Sequence, residues 1–386
     1  MSEWRKVTIG ELVTLRQGFA INAKSKHYIS KEQTSLALLR IADMKSGSKE
    51  IFVKEDIPQN FIAKPQDIIY TRTGNVGLVF RNNYGVVHNN CFTVTPNDEW
   101  ILSRDFLYYL LQSQYFFEKA NSLARGAAQP DLPHSLFNSI EISYPSLQVQ
   151  NKIATILSRY DSLIENYQKQ IKLLEESAQR LYKEWFIDLR FPGHENTQIV
   201  DGVPEGWEKK KLVDMVDVQY GYAFDGKLFN SNSEGMPILR IRNIPDGITS
   251  DYTTEEAQDC YIVHNGDIVV GMDGIFHINS WSGGDAYLVQ RACSFRPKEE
   301  CMKGFIFQAI QEPIKFFEKT LVGATVAHLG KKHIDSIELC IPKNFELYKP
   351  FSKFYNQRQG LLSQIRLLTE ARDRLLPRLM NGVINV

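Results

Sequence analysis

The stretch from Leu147 to Phe186 constrains this chain most, because its apolar residues fall on two heptad lines. One line is Ile153, Tyr160, Tyr167, Leu174 and Leu181, and the other is Leu157, Ile164, Ile171, Ala178 and Trp185. Steps between the lines alternate four and three, the a/d pattern of a coiled-coil helix. No Pro or Gly interrupts the stretch, and Ser146, just after Pro145, stands at the N-cap position. A helix of about 40 residues is roughly 60 Å long. That is too long for one small globule to cover, so the seam needs a partner helix.

The partner lies in the same chain. Phe354, Leu361, Leu368 and Leu375 form one line, and Phe351, Arg358, Ile365, Arg372 and Leu379 form a second, both 194 residues beyond their counterparts. Arg358 and Arg372 interrupt the second line, although their alkyl stems can still cover apolar surface. Gly360 weakens this helix, and Pro377 is expected to kink or end it. Two such patterns at a fixed offset imply that what precedes each is also duplicated. Trp4 and Trp207 differ by 203, as do Gly18-Phe19-Ala20 and Gly221-Tyr222-Ala223. Leu39-Arg40-Ile41 and Phe116-Phe117-Glu118-Lys119 recur 200 residues on, Asp67-Ile68-Ile69 matches Asp267-Ile268-Val269 at the same offset, and Ser139-Ile140-Glu141 recurs at 197. The expected fold is α+β. Two repeated mixed α/β modules, 1–145 and 207–342, alternate with long helices, 146–190 and 343–386, and 191–206 is a Pro/Gly linker. The helices are expected to form an antiparallel intramolecular coiled coil.

Inside the first module, Ala37 to Ile41 and Asp67 to Tyr70 are short strand-like runs. Thr73-Gly74-Asn75 and Asn82 to Gly85 are turns. Phe106 to Asn121 is expected to be one helix with Phe106, Leu107, Leu110, Leu111 and Phe117 on its buried face. Gly126 to Leu132 is expected to be an irregular loop. Lys+Arg and Asp+Glu both total 45. Zero net charge decides nothing about nucleic acid, which would meet a local face. Five scattered Cys fit reduced thiols rather than a disulfide framework or zinc site. No signal peptide and no apolar run of membrane-spanning length is expected.

The order of module, long helix, module, long helix resembles the specificity subunit of type I restriction–modification systems, over the whole chain. The opening of the second half carries the most specific likeness, Val203-Pro204-Glu205-Gly206-Trp207-Glu208 followed by Leu212. The family's modules similarly open with a Trp and close with a Pro before the helix, here Trp4, Trp207, Pro145 and Pro342. The resemblance implies two target-recognition domains, each reading half of a bipartite double-stranded DNA site. Two similar modules on paired helices match spaced half-sites, and the helices would then set the distance between halves. It implies two copies of an adenine methyltransferase subunit, which bring S-adenosylmethionine, and an ATP-driven restriction subunit, all in the cytoplasm. No cofactor, no metal and no membrane is expected for this chain itself.

Catalytic alternatives fail on their motifs. Gly221 to Lys227 fits the start of a phosphate-binding loop but lacks the Ser/Thr that would hold magnesium, and its copy, Gly18 to Lys24, lacks the second Gly. A turn whose lysine faces DNA phosphate is the reading preferred. Glu208-Lys209-Lys210 reads as the start of a strand with a solvated basic edge rather than part of a nuclease. The base-flipping Pro-Pro motif and Gly-rich loop of a methyltransferase are missing, and His328 and His333 are spaced wrongly for a helical zinc pair. The remaining rival is a coiled-coil scaffold whose globules bind protein or glycan. For DNA, base reading calls for Arg, Lys, Asn and Gln near Gly-containing loops. The candidates are Lys24, Lys26, Arg72, Thr73, Asn75, Arg125 and Gln129 in the first module. In the second they are Lys227, Arg240, Arg242, Asn243, Asp273, His277, Lys331, Lys332 and His333.

Overall fold

The computed structural model describes residues 4–321, 327–384 and 386. The chain divides into two compact units, Met1–Ser162 with Thr369–Val386, and Leu163–Leu368.

In the first unit, Arg5–Thr8 pairs antiparallel with Glu141–Tyr144, which closes the module on itself between Trp4 and Pro145. A second sheet runs in the order Val13–Gln17, Cys91–Pro96, Ile68–Thr71, Val79–Phe80. A third runs Ile29–Ser30, Phe52–Val53, Leu36–Leu39, Gly85–Val87, Ile62–Ala63, with Leu36–Leu39 parallel to Gly85–Val87. Ile68–Thr71 is buried at every position, as its unbroken apolar run requires. Tyr70, Phe92, Phe116 and Phe137 fill the core with edge-on and stacked contacts 5.1–6.0 Å between centroids.

The second unit repeats this topology. Trp207–Lys211 pairs with Glu338–Pro342, so Trp207 faces Pro342 directly. Strands Val216–Tyr220, Ala292–Pro297, Ile268–Gly271 and Ile278–Ser280 lie in the same order as their counterparts. The duplicated motifs now have physical reasons. Asp67 and Asp267 each accept a hydrogen bond from the backbone three residues earlier, at Lys64 and His264, and so turn the chain into the buried strand. Gly18 and Gly221 lie so close to the facing strand that a Cβ would sit 2.2 and 2.1 Å from the carbonyl oxygens of His88 and Val289.

The first long helix spans Leu147–Tyr182 and ends in a π-helical turn, Lys183–Ile187. Gln150, fully buried, donates to the carbonyls of Pro145 and Ile101 and accepts from the Ser103 amide, tying the helix start to its module. The second long helix spans Lys349–Met380. Its pairing with the first is antiparallel. In the first unit Ile153, Ala154 and Leu157 share a core with Leu379 and Met380. In the second, Tyr182 and Trp185 pack on Phe351. Most of the expected seam is buried or half-buried, with Ile153, Leu157, Ile164, Ile171 and Ala178 buried on one helix, and Phe351 and Leu379 on the other. The seam's partly covered residues are Tyr160, Tyr167, Leu174, Leu181, Phe354, Leu361, Ile365, Leu368 and Leu375.

Several expectations are corrected. Pro377 does not end its helix, which continues to Met380. The end is set by Gly382, φ 66°, whose left-handed backbone suits glycine. Arg358 and Arg372 are not interruptions, because each pairs with an acid of the facing helix, Glu175 and Asp161. Phe106–Asn121 is not one helix but two, Arg104–Gln112 and Gln114–Leu123. Ser113 breaks the run, and its side chain accepts from the Phe116 amide to cap the second piece. The break shifts the helical phase, so Phe116 is buried and Phe117 is 40% exposed. The Phe-Phe-Glu-Lys repeat is likewise not equivalent in packing, since Phe316 is 61% exposed. The 191–206 segment is more than a linker. Ile199–Val200 and Val203–Pro204 form a hairpin, and Phe191 packs on Trp207.

Among the described residues no helix is long and apolar enough to cross a membrane.

Candidate nucleic-acid interface

In each module the strand after the duplicated Asp turns back on itself through a loop, 72–78 in the first and 272–277 in the second. The first loop is braced from inside by buried Thr71, whose hydroxyl donates to the Asn75 carbonyl and accepts from the Leu78 amide. Gly74 and Gly77 take left-handed φ, 81° and 100°. The loop is then stitched to 125–132. The Gly74 amide donates to the Pro130 carbonyl and the Leu132 amide to the Arg72 carbonyl.

Arg72 and Thr73 meet in this structure, but around Asp131. Arg72 Nε and Nη2 reach the Asp131 carboxylate at 3.1 and 2.6 Å, and Thr73 Oγ1 donates to it at 2.6 Å. Arg72 Nη1 also donates to Gln17 Oε1 at 3.0 Å. The Arg72 guanidinium holds the Asp131 carboxyl below the usual carboxylate range. Burial and the Arg72 cation push the His134 imidazole down. Arg72 is thus a fixed fork rather than a free reader. Asn75, Arg125 and Gln129 stand exposed around it on the two stitched loops.

The second module keeps this backbone and changes the side chains. Gly274 donates to the Ala327 carbonyl and Leu329 to the Met272 carbonyl, the same stitches as before. Where Thr73 faces Asp131, Asp273 faces His328, in an isolated bridge of the same kind. Asp273 carries Arg291 Nη1 at 3.0 Å on one carboxylate oxygen and His328 Nδ1 at 2.5 Å from the other. Arg291, 67% exposed, is held at φ 69°, a costly conformation for a residue with a side chain. Asp131, His328, Arg291 and Gln17 were missed in the sequence. The offset of 197 that relates Ser139 to Ser336 also relates Asp131 to His328, which was the available signal.

The other candidates divide. Lys24 and Lys26, and Lys227, are exposed on equivalent polar turns shaped by Asn22 and Asp225. The turn at Lys227 runs into strand Phe229–Asn230, not into a helix N-terminus able to cradle phosphate. Arg240, Arg242 and Asn243 converge on buried Asp251, at 2.5, 2.8 and 3.4 Å. Arg240 also lies over the Phe229 ring. This group organises its turn, and within it Arg242 has a largely exposed side chain, 65%. His277 is half-buried and its carbonyl accepts from the Gly271 amide. Lys331 and Lys332 are exposed at the start of helix Lys331–Asp335, directly after the loop of His328. His333 Nδ1 accepts from the Gly330 amide at 3.0 Å and its ring rests on Phe317, so it caps that helix. Among the described residues no group of three or more His, Cys, Asp or Glu is placed to hold a metal ion.

A fixed backbone bearing two different sets of donors and acceptors is suited to reading two different sequences. Comparison with known proteins identifies the family. The family model of the type I restriction modification DNA specificity domain matches residues 1–176 and again residues 204–366. The type I restriction enzyme MjaIX specificity subunit of Methanocaldococcus jannaschii is 28% identical over 351 residues, covering 83% of this chain and 78% of that protein. The MjaVIII specificity subunit of the same organism is 25% identical over 416 residues, 100% of this chain and 93% of that one. In fold, the crystal structure of the type I restriction–modification S subunit from M. genitalium matches 98% of this chain and 96% of its own, with a TM-score of 0.59 at 19% identity.

Proposed function

Because this chain belongs to the type I restriction–modification DNA specificity family, we propose that it reads a bipartite double-stranded DNA site, one half per module. It has no catalysis of its own. It assembles two copies of an adenine methyltransferase subunit, which bring S-adenosylmethionine, and an ATP-driven restriction subunit, in the cytoplasm. The observation that carries the reading is the stitched loop pair found in both modules with different side chains. Arg72, Thr73 and Asp131 occupy it in one, and Asp273, Arg291 and His328 in the other. Arg125, Gln129, Lys331 and Lys332 flank these groups at exposed positions, where base edges and phosphates can be met.

The test is a map of methylated adenines in the host genome with and without the gene, followed by exchange of residues 4–145 for the matching module of a relative. One half of the modified motif is expected to change while the other half stays. Loss of both halves together, or no motif dependent on the gene, would refute the assignment.

A further inference from the structure

The hairpin carrying each candidate reading loop has a second end, and in both modules a charged residue of a long helix holds that end. In the first module, strand Val79–Phe80 leads into Arg81. Arg81 Nη2 donates to Asp161 Oδ2 at 3.3 Å, and the Tyr109 hydroxyl donates to the same oxygen at 2.6 Å. Arg372 Nη1 donates to Asp161 Oδ1 at 2.9 Å. The Arg81 guanidinium lies over the Tyr108 ring, 4.1 Å from its centroid. Burial, reinforced by the Asp161 carboxylate, pushes the Tyr109 phenol far above its ordinary value, so it remains a donor. One carboxylate on the helix thus gathers groups from the hairpin end, from helix Arg104–Gln112 and from the second long helix.

In the second module the equivalent strand is Ile278–Ser280. Arg358 of the second long helix, 8% exposed, donates from Nη2 to Asn279 Oδ1 at 2.9 Å and from Nη1 to the Ser280 hydroxyl. Its Nε donates to Glu175 at 2.6 Å, and its guanidinium lies over the Phe307 ring. The place in the fold is shared, but the chemistry is not. The helix supplies an anion to the first hairpin and a cation to the second. By the offset of 194, Asp161 corresponds to Tyr355 and Arg358 to Ile164, so neither clamp is a copy of the other. Buried charges lose hydration, which offsets much of the attraction between them. What a charged cluster adds is one defined geometry.

We propose that Asp161 and Arg358 are positioning residues for DNA reading, each fixing the hairpin of its own module against a long helix so that the loop at the far end presents its side chains in one orientation. This rests on the DNA-reading function proposed above. The lever is short. From Gly77 to Arg81 the chain extends about 14 Å at roughly 3.4 Å per residue, so a tilt of about 10° at the anchor moves the loop by about 2 Å. Contacts to base edges do not survive such a displacement.

The full chain can be tested with two readouts. The first is amide hydrogen exchange in 72–77 and 272–277, followed by mass spectrometry. Asp161→Asn is expected to speed exchange in 72–77 about fivefold and leave 272–277 unchanged, and Arg358→Met is expected to do the reverse. Arg81→Met loosens the first loop from the module side and serves where Asp161→Asn does not fold. The second readout is binding to DNA duplexes with one base changed in either half-site. Discrimination is expected to fall about tenfold in the half read by the loosened module and to stay within twofold in the other, with Asp161→Glu regaining most of it. Exchange unchanged in both loops overturns the clamp. Faster exchange with discrimination intact overturns the positioning role. A parent chain with no sequence discrimination overturns the DNA reading and the positioning with it, while the exchange rates still decide the clamp.

Discussion

At the scale of single residues, the informative feature is that the candidate arginines nearest the turns are held by acids rather than left loose. Arg72 is held by Asp131 and Gln17, and Arg240 by Asp251. A held fork loses less freedom on binding than a loose one, which favours both the strength and the fixed geometry of its contact. The Asp131 carboxyl titrates below its unfolded value because Arg72 donates to it. Its contribution is therefore complete above the unfolded value, about pH 3.9, and is lost only as pH falls through the lower folded value. Carbon-detected NMR of the Asp131 carboxyl is expected to show a midpoint below that of a free Asp, and Arg72→Met to return it to the ordinary range. Asp131→Asn frees Arg72 and is expected to blunt base selectivity in the first half-site roughly tenfold, as loss of one well-placed bidentate contact does. Lys331 and Lys332 belong to a different class. They are exposed and carry charge without shape. The pair Lys331→Ala with Lys332→Ala is expected to weaken all DNA sequences alike and to flatten the slope of log affinity against log salt by up to about two phosphate contacts. An unchanged slope in a filter-binding series would remove both from the interface.

At the scale of elements, the duplicated glycines make the sharpest stability prediction. A methyl group at Gly18 or Gly221 would press on a strand carbonyl at little over 2 Å, and backbone cannot move aside cheaply. Gly18→Ala and Gly221→Ala are each expected to cost about 2–3 kcal/mol, the range for overpacked sites. Urea unfolding followed by circular dichroism would measure it, and a change under 0.5 kcal/mol would show that the strands can part. These positions were legible in the sequence only as repeats. Their reason lay in a strand about 70 residues away. The same distinction runs through the chain. The heptad lines, the Trp and Pro that close each module and the buried Ile68-Ile69 run follow from local pattern, which sequence carries directly. The break at Ser113 was not legible, because Phe106 to Asn121 has an acceptable helical period throughout, and only tertiary packing of Phe116 against Tyr70 and Phe137 selects the broken form. Arg358 and Arg372 read as defects in a seam because their partners, Glu175 and Asp161, lie 183 and 211 residues away. For the same reason part of the candidate site, Asp273 included, was visible, while the acids that hold Arg72 and Arg240, Asp131 and Asp251, were not.

At the scale of the whole molecule, the two arginine–acid pairs also define a register. Asp161 and Glu175 are two heptads apart on one helix, and Arg372 and Arg358 are two heptads apart on the other. An insertion that respects this phase keeps both pairs, and one that does not must break at least one. If the helix pair sets the distance between half-sites, seven residues added to both helices, after Tyr167 in the first and after Ile365 in the second, give the cleanest lengthening. Each helix gains about 10.5 Å at 1.5 Å per residue, and seven residues return the seam to the same face. At about 3.4 Å per base pair that is close to three base pairs. The two recognised half-sites are expected to keep their bases, while the unspecified gap between them grows by about three. Three base pairs also turn the duplex by roughly 100°, given about 10.5 per helical turn. The lengthened protein must therefore twist its DNA or itself, and weaker binding to the longer site than the parent shows for its own is part of the prediction. Four residues added at the same two points shift the heptad phase, and are expected to lower affinity for both half-sites together rather than to reset the gap cleanly. Methylated-adenine maps of cells carrying each variant report the gap directly. An unchanged gap in the seven-residue variant with methylation intact would mean that the helices are not the ruler, and that the spacing is imposed by the subunits bound around them.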